Sequence, residues 1–185
     1  MPALIATGSQ TIGPFFRFAL HKPDWNDLTR FGAAGEALRI EGIVVDGDGA
    51  AVPDALLEIW QADAAGSYEP SPLFRGFGRA STDPDGYYWF RTIVPGAVAA
   101  AGDAQQAPHV NVTVFARGLL KRAVTRIYFG DRAAENARDQ VLRSIGDAAV
   151  RDTLVAPRTN HPGGVPVYRF DIRLQGEGET AFFSI

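Results

Sequence analysis

The chain has no cysteine among its 185 residues, which excludes disulfide staples and every thiolate metal site. This fits a reducing compartment, and the cytoplasm is the expected location. No run approaches the ~18 apolar residues that a bilayer span requires. The opening MPALIATGSQTIGPFF lacks the basic and apolar regions of a secretory leader, so neither secretion nor membrane insertion is expected. Positive charge is scarce as well: 18 Lys and Arg against 21 Asp and Glu, net −3, with no basic run to concentrate potential on a nucleic acid. An anionic ligand would have to be held by specific arginines. Histidine is rare, at three residues.

Turn formers and apolar residues are plentiful. Twenty glycines, 12 prolines and a 46% hydrophobic fraction describe many short elements joined by sharp turns around one core. In ALRIEGIVVDGDGAAVPDALLEIWQAD, Leu38, Ile40, Gly42 and Val44 alternate with Arg39 and Glu41. DGDG then supplies residues tolerant of positive φ, and Ala55 to Trp60 makes a second strand. GYYWFRTIVPG, HVNVTVFAR, TRIYF and VYRFDIRLQ follow as strands, with TAFFSI as a last short one. DRAAENARDQVLRSIG, within 131–155, breaks the rhythm with helix formers and places Val141, Leu142 and Ile145 at helical spacing. The expected fold is mainly β: one domain over 1–185, an antiparallel β-sandwich over 36–185 with a short helical insertion and an irregular N-terminal arm over 1–35. That arm is stable only if Phe15, Phe16, Phe18 and Trp25 pack on this core or on a neighbouring subunit.

One strand carries polar chemistry. In APHVNVTVFARG, His109, Asn111, Thr113, Phe115 and Arg117 share one face, and Val110, Val112, Val114 and Ala116 share the other. The valine face is core. The polar face reads either as a cavity or interface wall, or as the solvent side of an edge strand. Two histidines at i and i+2 would grip one cation, but Asn111 is a weak neutral donor. His21 and His161 lie in proline-containing loops that no spacing brings to His109, and a lone buried histidine is usually a hydrogen-bonded structural residue.

SQTIGPF, LLEIWQADAAGSY, GFGRASTDPDGYYWFRTIVPG, APHVNVTVFARG, TRIYF and YRFDIRLQGEGETAFF, in this order, resemble the intradiol ring-cleavage dioxygenases over nearly the whole chain. Catalytic chains of that family hold a ferric ion with two tyrosines and two histidines. By the resemblance, His109 matches the first histidine, Asn111 replaces the second, and Val98 replaces the tyrosine after Pro95-Gly96. Tyr68 matches a non-ligand aromatic, and Tyr87 and Tyr88 match residues common to both kinds of chain. The resemblance therefore implies a chain that binds no metal itself and pairs with an iron-bearing β subunit of the same fold, in a hetero-oligomer that cleaves an aromatic acid such as 3,4-dihydroxybenzoate. It implies that Thr11, Gly13, Pro14 and Arg117 close the partner's substrate cavity, with Fe(III) in the β subunit and no catalytic residue here. A metal-free homo-oligomeric binding module of the same fold is the alternative.

Overall fold

The computed structural model of the chain describes residues 6–13, 15–100, 102, 104–159 and 164–184. Among these, twelve strands and four short helices follow one another: α1 (Phe16–Leu20), β1 (Ala37–Val45), β2 (Leu56–Gln61), β3 (Phe77–Ser81), β4 (Tyr87–Ile93), β5 (Val98–Ala99), β6 (Gln105–Gln106), β7 (His109–Phe115), β8 (Ala123–Phe129), α2 (Ala133–Asn136), α3 (Gln140–Ser144), α4 (Ala148–Asp152), β9 (Val155–Ala156), β10 (Arg158–Thr159), β11 (Val167–Arg169) and β12 (Ile172–Arg173). Two five-stranded sheets carry the fold. In the first, β1 is paired with β4, β11 and β12, and β10 extends β11. The second runs β3-β2-β7-β8-β9, and β5 and β6 form a separate hairpin.

The core follows from alternation. β1 buries Leu38, Ile40, Gly42 and Val44, as its pattern predicts, and β4 adds Tyr88 and Phe90. Facing them, β2 and β7 bury Leu57, Ile59, Val110, Val112 and Val114. The sheets are not purely antiparallel, however. β11 and β12 pair parallel to β1, and β9 pairs parallel to β8. Period-2 alternation specifies which face is buried and is silent on strand direction, which is why the sequence did not reveal this.

The strand is interrupted between β11 and β12, at Phe170 and Asp171. Phe170 turns its carbonyl onto Gly42, where any Cβ would stand inside the oxygen's envelope. The Tyr88 hydroxyl donates to the same oxygen at 2.6 Å. Burial pushes that phenol far above the usual tyrosine range.

The arm also departs from a simple loop. Trp25 to Leu28 lies between the open edges of the sheets: Arg79 N of β3 donates to Trp25 O, Leu28 N donates to Arg91 O of β4, and Arg91 N donates back to Asn26 O. Leu28 is buried over Gly78, and Trp25 meets Phe77 edge-on. These residues pack on the chain's own core, whereas Phe15 and Phe18 stand 78% and 76% exposed.

The single helical excursion is three short helices. Asp139 and Asp147 each cap a new start through their carboxylates, so helical backbone is re-initiated twice instead of running through. The terminal TAFFSI forms no strand over Ala181–Ser184. Phe183 N still donates to Val124 O, and Thr125 Oγ1 donates to Ala181 O. Gly42→Ala is expected to cost at least about 3 kcal/mol of stability by overpacking, and Tyr88→Phe about 1–2 kcal/mol. Urea unfolding of both variants checks the order.

Candidate functional site

Strand β7 sits in the middle of its sheet, which removes the edge-strand reading of its polar face. The Tyr68 hydroxyl, from the loop after β2, lies against the outward residues His109 and Asn111. His109 is only 1% exposed. Its Nδ1 lies 2.8 Å from Ala107 O, an oxygen that can only accept, so Nδ1 carries the hydrogen and Nε2 keeps a lone pair. That lone pair faces the Tyr68 hydroxyl at 3.3 Å. Asn111 Nδ2 donates to the same hydroxyl at 3.1 Å and to Trp60 O at 3.2 Å. The Trp60 ring stacks on Tyr68 with centroids 6.0 Å apart and planes 9° from parallel.

The sequence reading gave Tyr68 a non-ligand position; the structure shows its hydroxyl hydrogen-bonded to His109 and Asn111, a contact that residue spacing did not reveal. The loop places it. Asp63 Oδ1 accepts from Ala65 N and Ser67 N, both at 2.9 Å, and Asp63 O accepts from Gly96 N at 2.8 Å. Gly66 has room for no side chain against Ala97 O, so the Pro95-Gly96 turn closes on the turn that carries Tyr68. The signal was Gly-Ser-Tyr after an Asx turn, a local geometry that counting residues does not reveal.

Electrostatics keep this pocket neutral. Burial pushes His109 below the usual histidine range; Arg126 adds to the shift, and the Ala107 carbonyl and Asp139 oppose it. Arg126, opposite Asn111 in the ladder, donates to Gln106 Oε1 at 2.7 Å and to the Tyr128 hydroxyl at 3.3 Å. Burial raises the Tyr128 phenol to about 12. Below it, the carboxyl of Asp139, 0% exposed, takes up Ala107 N, Val141 N, Leu142 N and the Tyr128 hydroxyl.

The other end of β7 is built differently. Gly118 N donates to Thr11 Oγ1 at 2.8 Å, tying the arm to the loop beyond the strand. Arg117 precedes that glycine with its side chain 54% exposed, and its Nε lies 3.0 Å from Asp54 Oδ2. Gly13 is exposed two residues along the arm, and Pro14 lies outside the described residues. The structure therefore brings Thr11 to the Arg117 loop and keeps both far from His109, since His109 to Phe115 alone spans about 20 Å of extended chain. His21 is at Ser81 Oγ, 3.2 Å away, and His161 lies outside the described residues. Asp54, Arg126 and Asp139 were missed, each looking like an ordinary turn or surface charge in sequence.

A family model described as dioxygenase matches residues 13–176. The chain is 43% identical to the protocatechuate 3,4-dioxygenase alpha chain of Burkholderia cepacia, all of both chains being covered. It is 34% identical to the beta chain from the same organism, over 94% of this chain and 77% of that one. Among solved structures, the dioxygenase domain of a dioxygenase carbohydrate-binding fusion from Streptomyces sp. SirexAA-E superposes with a TM-score of 0.63 at 26% identity, covering 87% of this chain and 93% of the other. The chain belongs to the intradiol dioxygenase family.

Intradiol dioxygenases imply iron, and the donors in this pocket do not fit it. A ferric ion requires anionic, lone-pair donors on several sides. Here one phenol and one imidazole are spent on each other, and Asn111 points amide hydrogens inward. Among the described residues, no group of three or more His, Cys, Asp or Glu could hold a metal.

The buried neutral imidazole has a pH signature. Its folded value lies below the ordinary 6.5, so its stabilisation is complete above about 6.5 and is lost as pH falls toward the folded value, because the unfolded chain takes the proton first. Relative to wild type, His109→Gln is expected to flatten this acid-side loss, by at most about 1.4 kcal/mol per pH unit. Thermal unfolding of both proteins at pH 8 and 5.5 gives the difference.

Proposed function

We propose that this chain is the iron-free α subunit of a protocatechuate 3,4-dioxygenase. In that enzyme it completes the substrate cavity of an iron-bearing β subunit, in a cytoplasmic hetero-oligomer of α–β pairs. One observation carries this reading: Arg117, paired with Asp54 at the end of β7, lies about a strand length from the chain's own Tyr68–His109 pocket. A ligand held by Arg117 cannot also reach that pocket, so its reacting ring belongs to a neighbour. The full-length similarity to an alpha chain, and the lower similarity to a beta chain, support the same division.

The reaction breaks the ring bond between the two hydroxylated carbons of 3,4-dihydroxybenzoate and adds both atoms of O2, giving 3-carboxy-cis,cis-muconate. Fe(III) in the partner supplies the oxidative chemistry. This chain contributes binding and enclosure: the Arg117 fork takes the ring carboxylate. Thr11 and Gly13 form a close wall that excludes water and holds the ring in register. The bare rings of Phe15 and Phe18, 78% and 76% exposed, give the arm an apolar surface for the partner to cover.

Co-expression with a β chain tests the reading, with turnover of 3,4-dihydroxybenzoate measured for each chain alone and for the pair. The pair is expected to be active and this chain inactive by itself. A stable homo-oligomer that never recruits a β chain would instead favour a non-catalytic binding module. In the assembled enzyme, Arg117→Ala is expected to raise KM for 3,4-dihydroxybenzoate about 10- to 100-fold, as loss of a charged hydrogen bond does, and to leave assembly intact. An unchanged KM would remove Arg117 from the site.

A further inference from the structure

We infer that Asp54 is the positioning residue that aims Arg117 at the substrate carboxylate, an inference that rests on the function proposed above. Asp54 ends the turn before β2 with φ +64°, a left-handed backbone that costs most L-residues energy and that Asp and Asn tolerate best. The turn directs its carboxylate beneath Arg117, where the Asp54 side chain keeps only 18% exposure against 54% for the arginine. Both carboxylate oxygens sit on Nε, Oδ2 at 3.0 Å and Oδ1 at 3.3 Å. Among the described residues, Nη1 and Nη2 make no hydrogen bond.

A guanidinium held at Nε keeps its two terminal nitrogens parallel and facing outward, which is the geometry for bidentate capture of a carboxylate. An untethered arginine on a loop would have to give up its rotamer freedom on every binding event, and Asp54 removes part of that cost beforehand. The competing explanation is an ordinary surface ion pair tying the β1–β2 loop to the β7–β8 loop, which contributes little to anything. The two differ in what they predict for the substrate.

Asp54→Asn removes the charge and keeps a residue suited to φ +64°, and Asp54→Gly is a second variant with the same backbone freedom. Each is assembled with the iron-bearing partner and assayed beside Arg117→Ala and the Asp54→Asn/Arg117→Ala double variant. Both Asp54 variants are expected to raise KM for 3,4-dihydroxybenzoate about 2- to 10-fold, with the rise absent for catechol lacking a carboxylate. The double variant is expected to match Arg117→Ala alone, because Asp54 acts only through the arginine. If Arg117→Ala raises KM while the Asp54 variants do not, or if the two effects multiply, Asp54 positions nothing and the proposed function stands. If Arg117→Ala itself leaves KM unchanged, the carboxylate reading of Arg117 fails and this inference falls with it.

Discussion

The buried carboxyl of Asp139 is the point on which the polar half of the fold rests. It caps α3 through Val141 N and Leu142 N, accepts Ala107 N at 2.8 Å and takes the Tyr128 hydroxyl at 3.2 Å. A group this deep is tolerable only because each of its contacts is a hydrogen bond. Two consequences spread from it. Leu142 is brought down onto Ala107, Tyr128 and Leu154 to make a second, smaller core, and Ala107 is fixed so that its carbonyl holds His109 Nδ1. The histidine's tautomer, and with it the Tyr68 contact, therefore depends on a residue 30 positions away.

The two ends of β7 then do opposite things with polar groups. At the His109 end, phenol, imidazole and amide satisfy one another inside a closed layer, and nothing is left over for a ligand. At the Arg117 end, the ion pair with Asp54 uses one edge of the guanidinium and leaves the other edge facing outward. Under the proposed function, a chain arranged in this way contributes a charged wall to a neighbour's site while the polar groups around its own His109 are spent on one another. The exposed Phe15 and Phe18 lie on the same arm as Thr11, so in the proposed function one segment supplies both apolar cover and site wall.

Much of this was legible in the sequence where one face of one element decides the outcome. The alternation in β1 and β7, the turn at DGDG, and the apolar run of β2 translate directly into buried and exposed positions. Direction and partner choice were not legible: alternation is silent on the parallel pairing of β11 and β12 with β1. The helical segment was seen, but its division into three required recognising Asp139 and Asp147 as caps inside a run of helix formers. Tyr68 and Asp54 were obscured for a common reason. Each sits in a turn whose backbone, and not its residue spacing, aims the side chain at its partner.

The measurement closest to the central claim is the iron content of the purified complex between this chain and the proposed β partner, with the two chains quantified separately. One iron per α–β pair, retained by the partner after the chains are separated, is the result expected if the Tyr68–His109–Asn111 pocket is closed to metal. Two irons per pair, or iron that stays with this chain after separation, would contradict it.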